Sequence, residues 1–200
     1  MDTKQKILTE AVKLFAQEGY EAVTVEMIAA AVGIKAPSLY KHYKGKQDIF
    51  ASVLKEMERR DAENAANCAV PEETIEAAPE TYADVSIDAF LEFCKQMFRY
   101  WTEDDFAAAF RRMLTVEQYR SGERNALYHQ YLGAGPLQYT ADVLGSKAQA
   151  LALYGPMYLL YGVYDQAEDK AAVIALLEAH LRSWQAQYNE EIDRETKEAE

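Results

Sequence analysis

TVEMIAAAVGIKAPSLYKHY, residues 24–43, decides the reading of this chain. Thr24 is placed to cap a helix, and Glu26 adds a negative charge near its positive end. Met27, Ile28, Ala29 and Val32 are the positions this helix is expected to bury. Ala29, Gly33 and Leu39 then supply what two crossing helices need. A small residue allows close approach, a glycine permits a tight turn, and a leucine seals the second helix onto the core. Pro37 suits the first position of that second helix, and its ring disfavours helical geometry at Ala36. The spacing therefore predicts a helix-turn-helix with a short second helix of about 37–43. From Gly33 through Lys46 the chain carries Lys35, Lys41, Lys44 and Lys46 and no acid. An ordinary helical hairpin has no reason to exclude acids there; a surface that meets phosphate does.

Outward from this motif the apolar period stays helical. On the N-terminal side, Ile7, Leu8, Ala11, Leu14 and Phe15 share one face of a helix that opens at Asp2 or Thr3, and Gly19 is expected to end it in the left-handed conformation. On the other side, Gly45 and Lys46 begin a fourth helix whose Ile49, Phe50, Val53, Leu54 and Met57 continue the core stripe. The net charge of −12 argues against a nucleic-acid partner until it is partitioned. Residues 1–46 carry seven lysines against five acids, whereas the remainder is strongly acidic, at a net −14. Only the N-terminal quarter is suited to meet phosphates, and the acidic body is repelled from them, so charge orients the molecule.

The expected fold class is all-α, with a helix-turn-helix domain over 1–46, a connecting helix over about 46–67, and a helical domain over 68–200. Pro71 and Pro79 bracket an acidic stretch that reads as a linker. Amphipathic segments follow near 84–102, 104–120 and 123–144, the last interrupted by Gly133, Gly135 and Pro136. Two longer helices are predicted at roughly 147–165 and 169–190, with a frayed charged tail beyond. Cys68 and Cys94 have no metal or redox spacing and read as free thiols of a reducing compartment. His42, His129 and His180 are too scattered for a metal site, so neither metal nor cofactor is expected. There is no apolar signal region, and the most apolar stretch, 150–164, is short for a membrane span and broken by Gly155, Pro156 and Gly162. The expectation is a cytoplasmic protein with no membrane partner. Nucleophile, phosphate-loop and dinucleotide fingerprints are absent from the sequence, which argues against an enzyme.

The pattern LFxxxGY, a capping threonine, IAxxVG, LYxHYxxK and an apolar fourth helix resembles the DNA-binding domain of the TetR/AcrR family across the first 57 residues. The segments FRRMLTVEQYR and GPLQY are similar, more loosely, to the ligand-binding domains of some members. By this resemblance Thr24 is a backbone contact, and Tyr40, His42 and Lys46 form a phosphate clamp; such contacts position a protein without reading sequence. His42 reads equally as local packing. Base reading falls to Lys35, Ala36, Pro37, Ser38 and Lys41. Ala36 departs from the polar residues often found there, which weakens base reading at that position.

The resemblance also implies a small-molecule cavity between the later helices. Its expected lining is Phe98, Trp101, Phe110, Met113, Tyr154 and Tyr158, suiting a partly aromatic or apolar effector. The last two helices carry wide apolar stripes. With the resemblance, these predict a homodimer through Leu151, Tyr161, Leu176, Leu177, His180, Leu181 and Trp184. The implied activity is repression at a palindromic double-stranded DNA operator, released by an effector. The alternative within the same fold is a nucleoid or division-site DNA-binding factor without an effector.

Overall fold

The computed structural model describes residues 2–66 and 85–199, and every regular element among them is a helix. The acidic stretch between Pro71 and Pro79, Cys68 and the expected 67/68 domain boundary lie outside the described residues. The helices are α1 (Thr3–Glu18), α2 (Val25–Val32), α3 (Ala36–Leu39), α4 (Lys46–Ala66), α5 (Ile87–Glu103), α6 (Asp105–Glu117), α7 (Gly122–Tyr131), α8 (Ala134–Leu144), α9 (Lys147–Gln166) and α10 (Lys170–Ala199). They fall into two compact units, and the division differs from the domains expected from sequence. One unit is Met1–Ala66 with Glu103–Tyr131; the other is Asn67–Thr102 with Leu132–Glu200. Helices α6 and α7, which the sequence places in the C-terminal domain, fall in the first unit, where α6 packs on α1 and α4 and α7 packs on α6.

In the first unit α1 buries Ile7, Leu8, Ala11, Val12 and Phe15, while Leu14 is only half-buried. It lies against α2, α4 and α6. Ala11 on α1 and Ala107, Ala108 and Ala109 on α6 are all buried, and the two helices pack together. Phe15, Tyr20 and Phe50 form an aromatic triangle with centroids 5.2–5.9 Å apart. Polar contacts knit the outer ends. The buried Glu56 carboxylate on α4 accepts from Gln5 of α1 (2.7 Å), from Arg60 (2.7 Å) and from Arg59 (2.8 and 3.1 Å). Arg60 also lies 3.6 Å from Asp104 and 4.4 Å from the Phe106 ring centroid. Asp104 in turn caps α6 through the Phe106 and Ala107 amides. The two arginines of α6 differ in exposure, with Arg111 buried and Arg112 exposed.

The second unit is an aromatic bundle of α5, α8, α9 and α10. Phe98 stacks on Tyr161 at 5.1 Å and meets Tyr164 edge-on, and Tyr139 packs against Phe90 and Phe93. The Tyr154 hydroxyl donates to the Leu132 carbonyl at 2.8 Å, and a His180 ring nitrogen lies 2.9 Å from the Leu153 carbonyl. The Cys94 thiol is buried, which pushes its pKa up to about 12 and leaves it an inert core group.

Three boundary expectations are corrected. Helix α3 covers Ala36–Leu39, where 37–43 was expected, and starts one residue before the proline. Ala36 is therefore helical and Lys35 makes the break (φ −80°, ψ 146°), because proline's missing N–H costs nothing in a first turn. Helix α10 runs on to Ala199 instead of fraying after 190; its Glu-, Lys- and Arg-rich end consists of good helix formers. Gly19 has positive φ (78°) but extended ψ (153°), so the chain leaves α1 in a glycine-only region and not in the left-handed helical one. The interruption near 133–136 is observed: Gly133 caps α8, and Pro136 sits in its first turn. Helix α9 passes through Pro156 unbroken. Among the described residues no helix is long and apolar enough to cross a membrane.

Candidate nucleic-acid interface

Helix α2 begins where expected, with Thr24 Oγ1 accepting from the Met27 amide at 3.2 Å. The inward face of α2 is set by Val25, Ile28 and Ala29. Met27, expected inside, is exposed, and Val32 is half-buried. At the turn Gly33 adopts φ 79°, ψ 28°, the left-handed conformation. There the Gly33 and Ile34 amides donate back to the Ala30 and Ala29 carbonyls at 3.0 and 2.9 Å. Such bonds satisfy carbonyls that the end of a helix leaves open.

Helix α3 is one turn long, and hydrogen bonds carry it onward. The Lys41 amide donates to Ser38, and the His42 and Tyr43 amides donate to Leu39. Two side chains fix this segment to the body: Leu39 is wholly buried, and Tyr43 is nearly so. The Tyr43 hydroxyl donates to the Lys4 carbonyl of α1 at 3.3 Å, and the Lys4 ammonium lies 5.5 Å from the ring centroid. Burial first, then nearby carboxylates led by Asp48, push this phenol up to about 12, so it remains a neutral donor. Beyond it Asp48 accepts from the Lys44 amide at 2.8 Å and ties the exit turn to α4.

With Leu39 and Tyr43 turned inward, the rest of the segment faces out. Lys35, Pro37, Tyr40, Lys41, His42 and Lys44 are exposed, Tyr40 by 52%; Ala36 and Ser38 are half-buried. The structure thus brings Lys35, Ala36, Pro37, Ser38, Tyr40, Lys41 and His42 together after the Gly33 turn, while Thr24 is exposed at the start of α2 and Lys46 is half-buried at the start of α4. Lys46 is used differently. Its ammonium donates to the Tyr20 carbonyl at 2.7 Å and the Glu21 carbonyl at 3.2 Å, and lies 4.3 Å from the Tyr20 ring centroid. An ammonium has three donors, so one remains for a phosphate oxygen.

The other predicted sites are sorted less kindly. Phe110 and Met113 lie in the first unit and Phe98, Trp101, Tyr154 and Tyr158 in the second, so no one unit contains the expected lining. Phe98, Phe110 and Met113 are wholly buried and Trp101 nearly so. Of the expected dimer residues, Tyr161, Leu177, Leu181 and Trp184 are buried within the chain and His180 is half-buried, so these side chains face their own unit. Leu151 and Leu176 are exposed (60% and 56%), and they are joined by Leu159 (68%), Tyr158 and Val163.

Sequence reasoning did not single out Tyr20, Glu117 and Arg124. The Tyr20 amide donates to the buried Glu117 carboxylate at 2.8 Å, and that carboxylate meets the Arg124 guanidinium at 2.9 Å. These partners are far apart in sequence, and no local periodicity signals them.

Residues 7–53 match the family described as bacterial regulatory proteins, tetR family. The chain is similar to the HTH-type transcriptional repressor ComR of Escherichia coli, 37% identical over 76 residues, or 38% of this chain and 36% of ComR. The chain therefore matches about a third of that relative's length. Among solved structures, the fatty acid degradation regulator FadR from Bacillus halodurans superposes with TM-score 0.60 at 15% identity, covering 92% of this chain and 95% of that one. AibR, solved with isovaleryl coenzyme A and operator DNA, superposes with TM-score 0.56 at 13% identity, covering 87% and 95%. Such likeness extends the shared fold over almost the whole chain.

Proposed function

We propose that this chain, a member of the tetR family of bacterial regulatory proteins, is a transcriptional repressor that binds a pseudo-palindromic operator as a homodimer. A small-molecule effector would release it. The observation that carries the reading is the exposed surface around α3. Lys35, Tyr40, Lys41 and His42 face solvent on a segment clamped from behind by Leu39 and Tyr43. In this reading Thr24, Tyr40, His42 and the third donor of Lys46 address phosphates. Lysine can reach guanine O6 and N7, serine either kind of edge, and Ala36 or Pro37 a thymine methyl.

The dimer reading rests on α9. Leu151, Gly155, Leu159 and Val163 follow one another at intervals of four residues along one face, and Leu176 is exposed on α10. Glycine at 155 and 162 lets a second helix approach this seam. A twofold pair of heads then reads half-sites spaced by about 34–36 Å or a multiple of it. The effector reading rests on the phenol-rich second unit and on AibR, whose structure holds both isovaleryl coenzyme A and operator DNA. Release requires only that the effector prefer the arrangement DNA does not. Helix α4 is a route for that shift, because it starts at Lys46 and runs to Ala66.

Selection from a random-sequence duplex pool with the purified full chain tests the proposal. The expected result is enrichment of an inverted repeat. Recovery of asymmetric sites, or of none, overturns it.

A further inference from the structure

The corner between α1 and α2 is gripped from two directions at one residue. From the α4 side, Lys46 donates to the Tyr20 and Glu21 carbonyls. From the α6–α7 side, Glu117 Oε1 accepts the Tyr20 amide, and the Arg124 guanidinium lies 4.4 Å from the Tyr20 ring centroid and 3.9 Å from that of Phe50. Arg124 also closes on Glu117 Oε2 at 2.9 Å. Glu117 is 2% exposed, and a carboxylate so buried is tolerated only while its partners stay in place. Gly19 completes the fit. A Cβ there would stand 3.4 Å from Glu117 Oε1, on a backbone that disfavours any side chain.

Four residues beyond Tyr20 stands Thr24, the cap of α2, and α2 leads through the Gly33 turn to α3. We propose that the Glu117–Arg124 pair is a positioning latch for the DNA-binding head: it fixes the 19–24 corner on α6 and α7, and so sets the pose of Thr24 and Lys46 toward the duplex. The pair touches no DNA itself. The inference rests on the DNA-binding reading above and adds a route into the head from α6 and α7, separate from α4.

The test uses full-length protein with Arg124→Met, Glu117→Gln and the double variant, measured on a duplex enriched from the random pool and on an unselected one. Arg124→Met removes the guanidinium but keeps a stem against Phe50. Loss of the latch is expected to weaken the enriched duplex about tenfold. Any change in the slope of affinity against salt should be shared by Arg124→Met and Glu117→Gln, because it comes from the mis-set pose of Thr24 and Lys46 and not from a phosphate contact of Arg124. Hydrogen exchange at the Tyr20 amide should quicken while the amides of Ile7–Phe15 hold their protection. If the two groups act as one unit, the double variant is no worse than the poorer single. Arg124→Lys should recover part of the affinity.

Unchanged affinity in Arg124→Met and Glu117→Gln overturns the latch, as does a salt slope flattened by Arg124→Met but not by Glu117→Gln, which makes Arg124 a phosphate contact. Should Arg124→Met unfold, Glu117→Gln alone decides, through Tyr20 exchange and duplex affinity. Failure of the unsubstituted chain to enrich any duplex counts against the DNA-binding reading instead. Tyr20 exchange then still reports whether the latch holds the corner.

Discussion

Replacing Gly33 by alanine isolates the conformational cost of the helix-turn-helix corner. Gly33 sits at φ 79°, ψ 28°, and a Cβ built on it meets nothing within 4 Å. No steric clash contributes, so the penalty is that of an L-residue in the left-handed region, about 1–2 kcal/mol. The stiffer unfolded chain gives back about 0.4–1 kcal/mol. The net loss should be about 1 kcal/mol, and less for Gly33→Asn, since asparagine tolerates this conformation. Gly122 supplies the control. It also has open space at Cβ, but it lies in the first turn of α7 without positive φ. Gly122→Ala should therefore stabilise, by up to about 1 kcal/mol. Urea unfolding followed by far-ultraviolet circular dichroism reads all three variants. Two open glycines should shift the midpoint in opposite directions. The reasoning fails if Gly33→Ala is neutral, if it costs more than about 3 kcal/mol, or if asparagine is worse than alanine.

Glu56 makes stability acid-sensitive. Its hydrogen bonds, led by those from Arg59, hold its pKa near 2 against an ordinary 4.5. The contribution is full above about pH 4.5 and fades as pH falls toward 2, a span worth roughly 2–3 kcal/mol, so Glu56→Gln should flatten that limb of the urea midpoint against pH. Thr24→Ala removes the acceptor for the Met27 amide and should cost about 1 kcal/mol; retained stability would mean the cap is not used. Lys41→Ala should reduce the salt slope of DNA binding by about 0.9 if it meets one phosphate, whereas a base-reading Lys41 would relax sequence preference with the slope unchanged. Leu159→Asp should give a folded monomer in sedimentation, and Leu177→Asp an unfolded chain, because the first side chain is exposed and the second wholly buried.

What was legible in the sequence was local. Thr24, Gly33, Leu39 and the inward side of α1 are fixed by capping, turn geometry and period, all contained within a few residues of chain. The ends of helices were less so. The position of Pro37 was read as ending helix geometry at Ala36, when a first turn accommodates both residues. Faces are not legible where a helix is apolar most of the way round. On α9 and α10 the apolar residues outnumber those one face can hold, so periodicity could not say that Tyr161 and Leu177 turn inward while Leu159 turns out. Long-range pairs left no trace at all. Nothing near Tyr20 announces Glu117, and nothing near Glu56 announces Gln5.

Lys46 shows that the chemistry of a side chain can be legible where its contacts are not. A lysine beside the opening turn of α4 suits an anion, and the sequence reading placed a phosphate there. In the structure two of its donors are directed at backbone carbonyls of residues 20 and 21. Those carbonyls close the α1–α2 corner that Glu117 and Arg124 hold from the other side. A phosphate reaching Lys46 must then use the remaining donor or compete with the corner for the other two. Either way, the ammonium that would meet DNA also reports the position of Tyr20. A shift of α6 or α7 that moves Tyr20 therefore alters the anion site at Lys46 directly, without first passing along α4. The surface proposed to face DNA and the contacts that hold its corner converge on one side chain, and that convergence would couple the head to α6 and α7.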